Sequence, residues 1–172
     1  MKNQLLFLFL FLFSTQLVFA GMAHVKMQGS VSAESGNYLF KSSEFPIEIW
    51  CDGKLLSTHF PSENGAYEID LVFGMNYRIR FGNNPWVVKM VDVNLKTPFF
   101  PAGNIGYTLQ NNISLFRHPM TSDFNFLETM PVAVANFDYE ANCMTWDTAY
   151  NEKLTESIIR TLKYSNQIRP KP

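Results

Sequence analysis

The chain has 172 residues and a formal net charge of −1, and its 14 basic side chains are scattered along the sequence. This excludes a nucleic-acid surface, because proteins that bind phosphate backbones cluster their lysines and arginines. The 16 Phe, 7 Tyr and 3 Trp favour strands.

Residues 1–20 have the pattern of a secretory signal peptide. Lys2 supplies the positive charge, residues 5–13 form an unbroken apolar run, and Ala20 is a small residue suited to cleavage. The run is shorter than the about 20 apolar residues of a membrane-spanning helix, and no second long apolar run follows. We predict cleavage after Ala20 and export to the periplasm or cell envelope, with no stable membrane span afterwards. An uncleaved N-terminal anchor is the alternative.

The first half of the remaining chain has the pattern of short strands separated by turns. Apolar and polar residues alternate in five segments, namely residues 25–31, 47–51, 56–60, 67–71 and 77–81. Asp52-Gly53 predicts a two-residue hairpin turn, because both residues tolerate positive φ, and residues 61–65 predict another turn. Residues 86–93 predict a central strand. The gaps are too short for helices, so the pattern indicates a sandwich or barrel.

The second half is less regular. Residues 95–105 predict a long loop, and residues 107–115 and 131–137 each predict a strand. Asp147 predicts a helix N-cap, since its carboxylate can accept the free backbone N–H groups of the first turn. An apolar stripe follows at every fourth position, at Tyr150, Leu154, Ile158 and Leu162. Residues 168–172 contain two prolines and predict a frayed tail.

Three motifs share a family pattern. Gly29-Ser30-Val31 ends the first strand, Asn64-Gly65-Ala66-Tyr67-Glu68-Ile69 follows a D-G-x-Y-x-I pattern with Asn in place of Asp, and Gly74-Met75-Asn76-Tyr77-Arg78-Ile79 follows G-x-x-Y-x-I. Together with the strand at 47–51, they make residues 25–93 resemble the carboxypeptidase regulatory-like domain, a transthyretin-like β-sandwich. Such domains are accessories of carboxypeptidases and of outer-membrane transporters, so the resemblance implies a fold and does not define one function.

The end of the chain carries a second resemblance. Residues 130–138 and 145–150 are similar to the ends of short exported proteins of unknown role in Bacteroidetes-like bacteria. We therefore expect a mainly β fold, an Ig-like or transthyretin-like antiparallel β-sandwich with a C-terminal α-helix. Residues 21–96 are expected to form the sandwich, and residues 97–172 an extension of loop, strands and helix packed on it.

Two cysteines, Cys51 and Cys143, remain after cleavage. Export places them in an oxidising compartment, where they can form a disulfide. Two free thiols are the alternative, and only the distance between the two Cα atoms decides between them.

Sequence patterns of catalysis are missing. There is no G-x-S-x-G, H-E-x-x-H, P-loop or C-x-x-C motif. The histidines, His24, His59 and His118, have no acidic residue at ligand spacing, so we expect no metal site and no cofactor. Asp138 and Asp147 are the carboxylates to test as an acid–base pair, although both positions favour capping of a turn and of a helix.

Four aromatic residues are the candidates for a binding surface, namely Trp86, Phe99, Phe100 and Tyr107. Aromatic side chains on loops are enriched at interfaces and stack on sugar rings. The alternative is that the loop folds back and covers an open end of the sandwich.

Three hypotheses of function remain. The first is a non-catalytic accessory or adaptor that binds another envelope protein. The second is a module that binds carbohydrate or peptidoglycan. The third is an enzyme whose site is assembled from residues far apart in sequence, because catalytic groups are recognised by geometry and not by order.

Overall fold

The computed structural model describes residues 23–35, 38–39, 41–96, 106–117 and 125–167. They form two β-sheets that pack face to face and one α-helix near the C-terminus. In chain order the strands are β1 His24–Ser35, β2 Tyr38–Leu39, β3 Ile47–Cys51, β4 Lys54–His59, β5 Ala66–Val72, β6 Asn76–Phe81, β7 Lys89–Asn94, β8 Gly106–Gln110, β9 Ile113–Phe116, β10 Ala133–Asp138 and β11 Cys143–Trp146. The helix, α1, spans Thr148–Gln167. The predicted mainly β fold with a C-terminal helix is confirmed.

The first sheet is built around β1. The first half of β1 lies between β5, which runs antiparallel to it, and β8, which runs parallel. Its second half pairs with β9 in parallel and with β2 in antiparallel. Residues 107–115, predicted as one strand, therefore form two strands with a break at Asn111 and Asn112.

The second sheet has the order β11-β10-β7-β6-β3-β4. Asp52 and Gly53 both have positive φ and close the β3–β4 hairpin, as predicted. β7 pairs with β10 in parallel, as β1 does with β8 and β9, so each sheet of the sandwich is mixed and not antiparallel throughout. The strands that pair in parallel are far apart in sequence, and no turn motif between them predicts the pairing.

The core lies between the two sheets and follows the alternation of apolar residues along each strand. Its most buried members come from both sheets and include Val25, Met27, Leu71, Ile47, Ile79, Phe81 and Val91. The polar residues between them on β5 and β6 are largely exposed. The period-2 pattern in residues 25–31, 47–51, 67–71 and 77–81 therefore marks the inner faces of the sheets correctly.

Residues after position 96 complete the two sheets. β8 and β9 join the first sheet, and β10 and β11 join the second, where an extension packed on a finished sandwich was expected. The backbone N–H of Tyr150 donates to Asp147 Oδ1 at 2.9 Å, so the predicted helix cap is confirmed. Leu154 of α1 packs with Val87 and Leu127 in a second, smaller cluster.

Several predicted features lie outside the described residues. They are the signal peptide at 1–20, the loop residues Phe99 and Phe100, His118, and the tail at 168–172. Within the part of the chain that the structure describes, no helix has the length and apolar content that a membrane crossing requires.

Candidate functional site

Two of the four aromatic residues predicted to bind a partner belong to the protein interior. Trp86 is 4% exposed and packs edge-on against Phe45, with ring centroids 5.3 Å apart. Tyr107 is 8% exposed and packs edge-on against Phe137 at 5.2 Å. The prediction that Trp86 and Tyr107 form a binding surface is therefore wrong, because both side chains are buried. Phe99 and Phe100 lie outside the described residues.

Cys51 and Cys143 are both free thiols. β3 carries Cys51, β11 carries Cys143, and three strands of the same sheet lie between them. Four strand spacings amount to about 19 Å. This is well beyond the roughly 7 Å between Cα atoms that a disulfide tolerates, so the fold supports the alternative of two free thiols.

Asp138 and Asp147 act as local caps. Asp138 Oδ1 accepts the backbone N–H groups of Glu140 and Ala141 in the turn after β10, at 2.9 and 3.0 Å. Asp147 lies beside Val134, whose carbonyl accepts the Asp147 backbone N–H. Asp138 lies four residue steps along β10 from Val134, a distance of about 14 Å. The two carboxylates do not form an acid–base pair.

The two histidines that the structure describes, His24 and His59, show no metal-ligating arrangement. His24 lies on β1, and His59 on β4 has its Nε2 3.0 Å from the hydroxyl of Ser57. In the described ranges, no group of three or more His, Cys, Asp and Glu side chains converges on a point where a metal ion would sit.

The outer face of the second sheet carries a depression lined by polar and aromatic side chains, which the sequence patterns did not predict. We call it the outer-face cleft; its volume is about 460 Å³. It lies over three neighbouring strands, β3, β6 and β7, whose outward residues stand in register. The cleft is lined by Trp50, Asp52, Gly53, Asn76, Tyr77, Arg78, Arg80, Met90, Asp92 and Asn94.

Arg78 lies at the centre of the cleft and is held by Asp92. The two residues are cross-strand partners, and Arg78 Nε and Nη2 donate to Asp92 Oδ1 and Oδ2, each at 2.8 Å. The hydrogen bonds to Asp92 raise the pKa of the Arg78 guanidinium. This fork geometry fixes both planar groups in one orientation.

Trp50 faces Arg78 from the other side and belongs to a second network. Its indole N–H donates to Glu48 Oε2 at 3.0 Å, and Arg80 Nη1 donates to the same oxygen at 3.1 Å. The Arg80 guanidinium also lies 5.8 Å from the centroid of the indole ring. The ring is therefore fixed at the edge of the cleft, half-buried and facing a polar surface.

Strand β4 borders this face and is exposed. Leu55, Leu56 and Phe60 have 49%, 57% and 62% of their surface exposed. Leu55 pairs with Trp50, Ser57 pairs with Ile49, and Leu56 between them is the extra residue of a bulge. We call Leu55, Leu56 and Phe60, together with the backbone of β4, the β4 edge.

The sequence contains a signal for the cleft. Trp50 occupies a polar-side position of the alternating pattern in residues 47–51, and Arg78 and Arg80 occupy the polar side of β6. A tryptophan on the solvent side of a strand is the feature that marks such a surface. What the pattern does not contain is the strand order that brings Arg78 between Trp50 and Asp92.

No protein-family model matches this chain, and no curated protein matches it either. The resemblance of residues 25–93 to the carboxypeptidase regulatory-like domain therefore stays a prediction.

Proposed function

We propose that this chain is an exported, non-catalytic β-sandwich protein of the bacterial envelope, an accessory or adaptor that binds another envelope protein. The observation that carries the proposal is the β4 edge. An exposed sheet edge with apolar side chains is a ready template for an added strand, and recognition by strand addition is a recurring mode of peptide binding.

Among the strands that the structure describes, β4 has a partner on one side only. It pairs with β3 and ends the order of the second sheet, so its other row of backbone N–H and C=O groups faces away from the sheet. Of the eight large apolar side chains that stand exposed among the described residues, three lie on or directly after this strand. Such a concentration is typical of an interaction surface.

One edge of the other sheet supplies a contrast. β5 is one of the edge strands of the first sheet, and its outward positions include Glu68 and Asp70, both exposed. Charged residues on an edge strand prevent pairing with other chains. β4 carries a single lysine, Lys54 at its first position, and no acidic residue, so fewer charges oppose an added strand there than on β5.

The occupant that fits best is an extended segment of a different protein, with apolar residues and one acidic residue. Apolar side chains would cover Leu55, Leu56 and Phe60, and the acidic residue would lie beside Lys54. A second copy of β4 would bring no acidic residue to Lys54, so charge complementarity favours another protein.

Site-specific photo-crosslinking in the native cells tests the proposal. A photoreactive amino acid at position 56 is expected to form an adduct with an exported protein, and the same reagent at position 159 is the control. Ile159 lies on α1 with 47% of its surface exposed, similar to the β4 residues. A photoreactive residue at position 60 is expected to form the same adduct, and the added substitutions Leu55→Lys and Leu56→Lys are expected to abolish it.

Three outcomes contradict this function. They are no adduct at position 56, an equal adduct at position 159, and an adduct that consists of two copies of this chain. Export has a separate check, because intact-mass analysis of the native protein is expected to show a chain that begins at Gly21. Native protein that retains Met1 contradicts the predicted cleavage.

A further inference from the structure

The outer-face cleft is a second surface that the adaptor role does not use. We propose that it binds a neutral sugar, with a pyranose ring stacked on Trp50 and its hydroxyl groups hydrogen-bonded to Arg78 and Asp92. This inference goes beyond the proposed function, because it concerns a different class of ligand and a different set of residues.

Trp50 supplies the apolar side of the site. Its indole N–H is bonded to Glu48, so the ring keeps one orientation before any ligand arrives. A pyranose ring has a face of C–H groups that packs on a flat aromatic ring. A ring that is already held in place loses little conformational entropy when the ligand binds.

The Arg78–Asp92 pair supplies the polar side. Each Asp92 oxygen accepts one N–H from Arg78 and keeps a lone pair, and the Arg78 Nη1 group keeps its own N–H donors. Hydrogen-bond donors of Arg78 and acceptors of Asp92 therefore lie side by side on the surface next to Trp50. Neighbouring sugar hydroxyls, which both donate and accept, can bond to both groups. Asn76 and Asn94 line the same cleft and extend the polar surface.

The charges in the cleft favour a neutral ligand. Asp92 neutralises Arg78, and Glu48 neutralises Arg80. Asp52 adds a further negative charge at the rim. An anionic sugar would have to displace one of these carboxylates and would meet the others, so it pays an electrostatic cost that a neutral sugar avoids.

The volume of about 460 Å³ lies in the usual range of small-molecule sites. The lining mixes apolar surface from Trp50, Tyr77 and Met90 with arginine, asparagine and aspartate side chains. The size of the cleft and its mixed lining therefore agree with one or two sugar rings, which have both C–H faces and hydroxyl groups.

Two-dimensional NMR of the full mature domain tests the proposal. The probes are neutral trisaccharides of glucose and of N-acetylglucosamine, and an acidic trisaccharide of glucuronic acid serves as comparison. At least one neutral probe is expected to cause a saturable shift of the Trp50 indole N–H signal. The acidic probe is expected to cause none at the same concentration.

Variants separate a binding role from a structural one. Trp50→Leu and Asp92→Asn are each expected to weaken binding at least about tenfold, since each loses one principal contact. Glu68→Gln is the matched control, because it breaks the exposed Lys26–Glu68 pair on the opposite sheet, and it is expected to leave the affinity unchanged. If Trp50→Leu does not fold, Arg78→Lys takes its place, because lysine cannot form the two-point contact that Arg78 makes with Asp92.

The proposal is overturned by any of three results. The first is a folded wild-type domain whose Trp50 signal does not move with either neutral probe. The second is unchanged affinity in folded Asp92→Asn and Arg78→Lys variants. The third is binding of the acidic probe in preference to both neutral ones.

Discussion

Gly29 of β1 lies directly against the backbone of Asn111, so closely that a Cβ atom at position 29 would stand 1.7 Å from the Asn111 carbonyl oxygen. This contact is where the parallel partner of β1 changes from β8 to β9. The side chain of Asn112 then accepts the backbone N–H and the hydroxyl of Ser30, both at 3.0 Å. The missing side chain at position 29 thus allows one long strand to pair with two shorter ones.

Gly29→Ala is expected to destabilise the domain severely, because the new Cβ meets backbone and not a side chain that can rotate away. We expect a loss of more than about 4 kcal/mol in the free energy of unfolding, measured by urea denaturation.

Gly106→Ala is the control for this substitution. Its Cβ would come within 3.3 Å of His24 Nε2, the end of a movable side chain, so the change is expected to stay within about 1 kcal/mol. Equal stabilities of the two variants would contradict the close contact between Gly29 and Asn111.

Tyr67, on the neighbouring strand β5, contacts the same point where the parallel partner of β1 changes from β8 to β9. Its hydroxyl donates to the Asn111 carbonyl oxygen at 2.8 Å, and burial raises the pKa of this hydroxyl above its usual range. Tyr67→Phe leaves that carbonyl without its donor, so we expect a loss of about 1–3 kcal/mol at neutral pH. Tyr139→Phe, at an exposed tyrosine, is the control and is expected to change stability by less than about 0.5 kcal/mol.

The raised pKa of Tyr67 also predicts a dependence on pH. Because the unfolded tyrosine ionises near pH 10 and the folded one does not, the stabilisation is present below about pH 10 and is lost as the pH rises above it. The stability of Tyr67→Phe is therefore expected to fall less steeply than that of the wild type in this alkaline range. Parallel profiles would show that the hydroxyl is not buried.

The local part of the fold was predictable from sequence for a clear reason. Alternation marks which side of a strand is buried, and Asp52-Gly53 marks a hairpin, because both effects act between neighbours in the chain. Asp147 likewise caps α1 through the first turn that follows it. The parallel pairing of β7 with β10 joins residues about forty positions apart, and no local rule specifies it.

The candidate sites were harder to predict, because they depend on strand order. Trp86 and Tyr107 looked like surface aromatics, but Trp86 packs on Phe45 and Tyr107 on Phe137, which come from distant parts of the chain. Conversely, Trp50 stands at a polar position of β3, and only the β3-β6-β7 order brings it near Asp92. Alternation shows that a residue faces outward and does not show what stands beside it.

The two free cysteines are expected to differ in reactivity. Cys51 is buried. Its burial, and to a lesser extent the negative charge of Asp52, raise the pKa of its thiol. A smaller fraction of Cys51 is therefore in the reactive thiolate form. Cys143 is half-buried. Iodoacetamide is therefore expected to modify Cys143 before Cys51 in the folded protein, as followed by peptide mass spectrometry.

The same reagent tests whether the thiols are free. Protein unfolded without reductant is expected to gain two modifications, and Cys143→Ser is expected to gain one. Modification of wild-type protein only after reduction would show that a disulfide forms, against the strand order between β3 and β11.

Lys89 of β7 points toward the interior, in register with Phe81. Its ammonium group lies 5.2 Å from the centroid of the Phe116 ring and donates to the Ser114 carbonyl of β9, so it links the two sheets. Burial lowers the pKa of Lys89 below the 10.5 of an unburied lysine. The folded state therefore holds a charge there at some cost when the pH is neutral.

Lys89→Met keeps most of the apolar part of the side chain and removes the charge. The variant therefore isolates the loss of folding free energy that comes from burying the charged ammonium group. Between the folded pKa and 10.5 the unfolded chain binds more protons than the native one, and stability due to Lys89 rises with pH in that window. We expect the wild type to gain stability relative to Lys89→Met between about pH 7 and pH 10, measured by urea denaturation. The tyrosines act equally in both proteins and cancel in the difference. A constant difference across this range would show that Lys89 is as well solvated in the folded protein as in the unfolded chain.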